Sequence, residues 1–292
     1  MNFEPEKSLE FISKNINDKG SIDCYLSTQR NLVSTLESPK EIGSALLILG
    51  LLHKYLSKDD LNKIIEYTNI QKDKDGSFHF FEDKSLLPND TDTTSRGLST
   101  QLDLKTINLE TAIEQAQKIA NNADEFGIIQ TYYKEYQRER IIDPTAILNI
   151  LHFLHKVGLN IEEYEKSYKY VQETIESRGY QSPGRYYFSP WMFLFFLQRL
   201  GVFNNEIMLQ LQKIMKEEKI PIQGTIDKAC SIIVKKSLGL DFDNDITELL
   251  KEYNHKEGSF SYDSIYKYGS KNLYFGSKPI STAFALHAIL KT

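Results

Sequence analysis

A chain that alternates two kinds of helix has few ways to fold, and this one alternates them throughout. One kind is amphipathic. In residues 161–177, Ile161, Tyr164, Tyr168, Val171 and Ile175 recur at three-and-four spacing with Glu, Lys and Gln between them, the mark of a helix with one wet face. Similar stripes run through Leu9/Ile12/Ile16, Leu61/Ile64/Ile65, Leu109/Ile113/Ala116, Ile207/Leu211/Ile214 and Ile246/Leu249/Tyr253. The other kind is apolar nearly all round, as in Ala146–Leu154 and Trp191–Leu197. A helix apolar on every face is buried on every face. Six segments meant for the core begin near Ser38, Asp90, Asp143, Ser189, Gly224 and Lys278; six amphipathic ones begin near Pro5, Lys58, Asn108, Asn160, Asn204 and Asn244. They interleave with a period of roughly fifty residues.

The connections repeat too. Glycine stands beside an aromatic-rich run at Asp75-Gly76-Ser77-Phe78-His79-Phe80-Phe81, Phe126-Gly127 before Tyr132-Tyr133, Arg178-Gly179-Tyr180 and Glu257-Gly258-Ser259-Phe260, with a weaker version at Lys19-Gly20. Pro39, Pro144, Pro190 and Pro279 mark four buried-helix starts, where a missing N–H costs nothing. Six hairpins with a buried inner set and an amphipathic outer set predict an all-α fold, a single α/α toroid spanning residues 1–292. An open solenoid usually carries polar capping repeats at both ends, whereas the last helix here, Ser281-Thr282-Ala283-Phe284-Ala285-Leu286, is as apolar as the middle ones. In a ring the inner helices run parallel and their N-termini share one mouth, the expected place for function.

Composition excludes several classes. Lys+Arg 35 against Asp+Glu 40 leaves a net charge of −5, which argues against nucleic-acid binding. The longest apolar stretches fall far short of the ~20 residues a membrane span needs, so peripheral contact is the most a membrane could offer. The N-terminus lacks the basic and apolar regions of a secretion signal. Cys24 and Cys230 stand in no metal-type spacing and read as reduced thiols in the cytoplasm.

Chemistry concentrates in Pro88-Asn89-Asp90-Thr91-Asp92-Thr93-Thr94-Ser95. Short polar residues at a helix start satisfy orphan N–H groups, and capping alone explains any one of them. Six in a row, opening a helix meant for the core, also suit a paired-carboxylate acid. Its proton would be held by an apolar cavity and a neighbouring charge, against the helix dipole, which favours the ionised form.

The ring of hairpins, the Gly-plus-aromatic turns and Asp90-Thr91-Asp92-Thr93-Thr94 resemble the class II terpene cyclases and their squalene–hopene cyclase relatives, in the Asp-x-Asp-Thr-Thr variant. Glu257-Gly258-Ser259-Phe260, Tyr274-Phe275-Gly276-Ser277 and Ser281–Ala285 are similar to the terminal repeat of that superfamily. The resemblance implies protonation-initiated cyclisation of a linear isoprenoid or isoprenoid diphosphate. Asp92 would be the Brønsted acid, with Asp90, Thr93 and Thr94 shaping its proton. No cofactor would be required, though Mg²⁺ could help hold a diphosphate. A second copy or a partner domain could complete the cavity.

Aromatic residues that would line such a cavity include Phe80, Tyr133, Tyr187, Trp191 and Phe275, whose faces stabilise cations by ~0.5–2 kcal/mol each. Singly, each is better read as packing. Arg140, Arg185 and Lys278 could grip a diphosphate, although charge runs are usually solvated faces. The related protein prenyltransferases bind zinc, but Asp227, Cys230 and His287 have the wrong spacing for that motif. His152 and His155 lack a third ligand nearby, so no metal site is expected. Two rivals remain open. One is a non-catalytic toroid that binds an apolar ligand or partner. The other is an α/α-barrel carbohydrate enzyme with two carboxylates flanking a glycosidic bond.

Overall fold

The computed structural model describes residues 3–133, 141–182, 184–269 and 271–290. Twelve α-helices lie among them: α1 (Pro5–Lys14), α2 (Gly43–Leu52), α3 (Lys58–Ile70), α4 (Thr91–Asp103), α5 (Leu109–Ala120), α6 (Pro144–Lys156), α7 (Glu165–Glu176), α8 (Pro190–Gly201), α9 (Asn205–Glu217), α10 (Thr225–Ser237), α11 (Asp243–Leu250) and α12 (Lys278–Ile289). The even-numbered helices are the buried set and the odd-numbered ones the amphipathic set. In α8, Trp191 to Leu197 are buried without a break. In α5 only Ala112, Ala116, Ile119 and Ala120 are. Polar caps open four of the inner helices: Asp90, Asp143, Ser189 and Ser277 each accept a hydrogen bond from a first-turn amide.

The helices sort into two compact units, Gln71–Glu218 and Met1–Ile70 together with Lys219–Thr292. In the first, α4 packs on α6 and α6 on α8, with α5, α7 and α9 outside them. In the second, α10 packs on α12 and α12 on α2, and α1 also lies against α12. The first and last hairpins of the chain are therefore direct neighbours, which an extended solenoid does not allow. Short strands tie the same ends together: β1 (Tyr25–Ser27) pairs with β5 (Tyr274–Gly276), which pairs with β4 (Ser264–Lys267), while β2 (Tyr253–Asn254) pairs with β3 (Ser259–Phe260). Runs this short carry too little alternation for the sequence to announce them.

Four hairpins share one turn. Gly20, Gly76, Gly127 and Gly258 have φ of 89°, 90°, 80° and 79°, and each amide bonds a carbonyl three or four residues back. Only glycine takes that backbone without strain. Lys19-Gly20 thus belongs fully to the pattern, whereas Gly179 does not. There Arg178 takes the left-handed conformation, with φ 56°, and Gly179 begins a 3-10 turn. Pro39 also departs from expectation. Helix α2 begins only at Gly43, because the buried Glu41 carboxylate accepts from the Ser44 amide and caps the helix there. The stripe expected to run from Ile161 breaks into a 3-10 turn at Ile161–Glu163 before α7.

Candidate active site

Helix α4 is the exception among the inner helices, buried from Thr91 to Gln101 although its sequence is almost wholly polar. Its first turn is pinned from outside. The Thr91 amide and hydroxyl donate to the carbonyls of Thr131 and Gln130, and Thr94 Oγ1 donates to the Asp90 carbonyl while accepting from the Phe78 amide. Phe78 lies on this helix at Gly97, where a Cβ would stand 3.0 Å from its ring. Thr94 has a twin in the other unit, where Thr282 Oγ1 accepts from the Phe260 amide. Its bonds are those of a structural clamp between loop and inner helix.

Two carboxyls stand at this helix start. Asp90 Oδ1 accepts from the Thr93 amide at 2.6 Å, so Asp90 is the N-cap. Burial lifts its pKa to about 7, the charge of Asp92 adds to the rise, and the Thr93 amide and Arg96 oppose it. Asp92 faces inward. Its Oδ1 accepts from Asn149 Nδ2 at 2.8 Å, on α6, and its Oδ2 accepts from Tyr187 Oη at 2.6 Å, in the segment leading into α8. Burial raises Asp92 as well; Arg96, Tyr187 and Asn149 pull the other way and Asp143 adds to the rise. Tyr187 Oη in turn accepts from Arg96 Nη1 at 3.0 Å. Helix α6 and the segment leading into α8 thus each aim one polar group at one carboxyl. Two buried, mutually repelling carboxyls, neither in an ion pair among the described residues, retain a proton near neutral pH that ordinary aspartates release.

The segment bearing Tyr187 is fixed by Asp143. Its Oδ1 caps α6 through the Thr145 and Ala146 amides, and its Oδ2 accepts from the Tyr186 amide at 2.9 Å. Gly184 is required there, since a Cβ would stand 2.5 Å from the Tyr187 carbonyl. Tyr132 and Tyr186 join hydroxyls at 2.7 Å nearby.

Of the residues singled out from sequence, Asp90, Asp92, Thr93, Thr94 and Tyr187 come together. Trp191 is buried in the first turn of α8 with its amide on Ser189 Oγ. Phe80 is half-buried and meets Phe81 edge-on at 4.9 Å. Tyr133 is buried beneath the Lys118 ammonium of outer helix α5, 5.2 Å from its ring centroid. Arg185 is exposed and lies 5.9 Å over the Tyr186 ring. Phe275 belongs to the other unit, on β5. Lys278 pairs with Glu257 at 2.8 Å. Arg140 lies outside the described residues. Asn149 and Arg96 escaped the sequence reading, although an Asn inside Ala146–Leu154 and an Arg inside a core helix are each a signal of polar work in the core.

The zinc-type triplet is otherwise engaged: Asp227 binds Arg30, and His287 Nδ1 bonds the Leu51 carbonyl. Among the described residues no three His, Cys, Asp or Glu side chains gather as a metal-binding set, and no helix is long and apolar enough to cross a membrane.

Comparison with known proteins places this architecture. Residues 32–157, which hold Asp90, Asp92, Arg96 and Asn149, match the family described as the sesquiterpene cyclase astC-like C-terminal domain. Over 208 residues, 69% of this chain, the sequence is 28% identical to drimenol cyclase drtB of Aspergillus calidoustus, and the match spans 38% of that protein's length. The type II terpene cyclase MstE of Scytonema superposes with a TM-score of 0.69 at 15% identity, covering 97% of this chain and 96% of that one. A variant of MstE in complex with geranylgeranyl dihydroxybenzoate, described as its substrate, gives a TM-score of 0.65 at 13% identity, covering 97% and 95%. An alpha-amylase from Clostridium perfringens reaches 0.62 at 14% identity, covering 97% and 96%, so the fold alone does not select a chemistry. The chain has the α/α toroid fold of the class II terpene cyclases.

Proposed function

We propose that this chain cyclises a linear isoprenoid by protonation, with Asp92 as the Brønsted acid. The single observation that carries the reading is the buried Asp90/Asp92 pair with two hydrogen-bond donors, Tyr187 Oη and Asn149 Nδ2, aimed at Asp92. In the acid step the Asp92 O–H bond breaks and a C–H bond forms at the terminal alkene. The alkene electron pair forms that bond, the neighbouring carbon becomes a cation, and Asp92 is left as carboxylate. Negative charge develops on Asp92 at the transition state, where the Tyr187 and Asn149 donors already point, so their stabilisation is preorganised. Internal alkenes then close rings on the cation, and proton loss or capture of water ends the sequence. Drimenol cyclase and MstE, which the chain resembles, support the substrate class.

The reading takes residues 1–292 as one α/α-barrel domain, in the cytoplasm, where a reducing compartment suits Cys24 and Cys230, neither of which forms a disulfide. Ionisation by protonation calls for no cofactor, and a diphosphate substrate would bring Mg²⁺ as its own counterion. A second copy or a partner domain remains a candidate to complete the cavity.

The test is product formation from a panel of linear isoprenoids, with and without a diphosphate, by wild type and Asp92→Asn. The variant should retain substrate binding and melting temperature and lose ~10²–10⁴-fold in turnover, the span general-acid catalysis contributes. Cyclisation that survives Asp92→Asn would overturn the assignment. Tight binding without turnover by the wild type would turn the reading toward a binding protein.

A further inference from the structure

Helix α4 carries a buried cation beside its two buried carboxyls. Arg96 is 6% exposed and stands four residues after Asp92, on the same helix face. It donates Nη1 to Tyr187 Oη at 3.0 Å, and Tyr187 Oη donates onward to Asp92 Oδ2 at 2.6 Å. A hydroxyl that accepts from a guanidinium while donating to a carboxyl is polarised, which strengthens its own bond. Tyr187 therefore carries the Arg96 charge to an oxygen of the acid. Burial is the largest influence on Asp92 and raises it; the charge of Arg96 comes next and lowers it.

Among the described residues, the groups that charge this interior form a short set. Its carboxyls are Asp90 and Asp92 on α4 and Asp143 at the start of α6; its guanidiniums are Arg96 and, on α8, Arg199. Asp103 and Lys156 balance each other at 2.5 Å. His152 is kept neutral by burial first, then by the charges of Arg199, Lys156 and His155. Tyr132 and Tyr186, which feel Asp90, are phenols that burial keeps neutral, and Arg185 beside them is exposed. Arg199 remains a cation. Burial brings it down to about 10 and Arg96 adds to the fall, but Asp103, Tyr187 and Asp92 all favour its charge. Asp143 has the least room for a proton, because the Thr145, Ala146 and Tyr186 amides occupy both its oxygens. Three carboxylates facing two guanidiniums leave one negative charge in a buried interior, and buried net charge is costly. One proton on the Asp90/Asp92 pair makes the set neutral. A second would strand a positive charge.

We infer that Arg96 fixes at one the number of protons stored by the Asp90/Asp92 pair, acting on Asp92 directly and through Tyr187. It is a positioning residue, since it works on the acid and not on a reacting atom. The count belongs to the resting protein and goes beyond the cyclase reading; within that reading it supplies one proton for each turnover. Without the Arg96 guanidinium the same interior balances only when both members of the pair are protonated.

The experiment is infrared difference spectroscopy of the full chain, reading protonated carboxyls from their carbonyl band and its shift in heavy water. It is run at about pH 6, below the value of about 7 to which burial lifts Asp90. Differences between variants cancel the background of surface carboxyls. Asp92→Asn, which removes one carboxylate, should show one protonated carboxyl fewer than wild type. Arg96→Met should show one more, and Arg96→Lys, which keeps the charge, should match wild type. In the pH–rate profile the acid limb of Arg96→Met should move up by ~1–3 pH units, the span an arginine beside an aspartate gives, and Arg96→Lys should bring it back. An Arg96→Met spectrum equal to wild type overturns the inference, whether or not the chain cyclises anything. If Arg96→Met does not fold, wild type against Asp92→Asn decides: a difference of none or of two protonated carboxyls overturns it, and a difference of one supports it. A count of one in a chain that forms no cyclic product keeps the inference and removes the cyclase reading.

Discussion

Each unit carries a pair of buried aspartates at the start of an inner helix, and the two pairs are built for opposite ends. At α10, Asp227 and Asp263 share one guanidinium. Arg30 donates Nη2 and Nη1 to Asp227 at 2.7 and 2.8 Å, and Nε and Nη2 to Asp263 at 2.9 and 3.1 Å. Asp263 also accepts from the Ile226 amide at 2.9 Å and so caps α10 from another segment. Gly224 makes room for it, since a Cβ would stand 2.3 Å from Asp263 Oδ2. Burial works against the charge of Arg30, but the two carboxylates outweigh it and hold its proton firmly. At α4 the same types of residue meet no such fork: Asp90 and Asp92 receive only an amide, a carboxamide and a phenol. Two buried carboxylates gripped by a guanidinium fork make a latch, whereas two that feel Arg96 through its field and receive no fork make a proton store.

The comparison can be broken by exchanging the expected losses. Asp92→Asn has the largest effect on chemistry, as above, and should leave unfolding by denaturant close to wild type. Arg30→Met should do the reverse. It strands Asp227 and Asp263 as uncompensated buried charges and should cost ~3–5 kcal/mol of unfolding free energy. Arg30→Met with wild-type stability would show that the fork is not a latch.

Tyr187→Phe sharpens the α4 side. It deprives Asp92 of one donor and Arg96 of one acceptor, a loss of ~1–3 kcal/mol if both stay buried. Because the phenol stabilises ionised Asp92, the limb of the pH–rate profile due to the acid should move to higher pH. An unshifted profile with lower turnover would reduce Tyr187 to packing.

The last test is of pH-dependent stability. Asp90 has a folded pKa of about 7 against ~3.9 unfolded. Its contribution is therefore complete below about pH 4 and is lost as pH rises through about 7. Melting temperature should decline across that window in wild type and decline less in Asp90→Asn, which keeps the cap. Asp73 has the opposite sign. Burial opposes its charge, but Lys84, Asn89 and His79 together hold it down at about 2, so its contribution appears only as loss between roughly pH 4 and 2. A flat wild-type profile from pH 4 to 7 would mean that Asp90 titrates normally.

Much of this architecture was legible in the chain because it is local. Helix period, the caps at Asp90, Asp143 and Ser189, and proline at the first turns of α6, α8 and α12 depend on residues within a few positions of one another. The alternation of wet and buried helices carried the toroid, and the density of short polar residues at Asp90–Ser95 carried the site. Pro39 misled because a buried Glu41, not the proline, caps α2. The strands were too short to show, and the left-handed Arg178 could not be told from the glycine beside it.

Tertiary structure alone decided what each charge does. Asp92, Asn149 and Tyr187 lie 57 and 95 positions apart, and Arg30 and Asp263 are separated by 233. An aspartate at a helix start has the same local signature in both units. Whether it becomes half of an ion pair or the keeper of a proton depends on which guanidinium the fold brings against it, because the energy of a buried charge is set by the partners within a few ångströms and not by its neighbours along the chain.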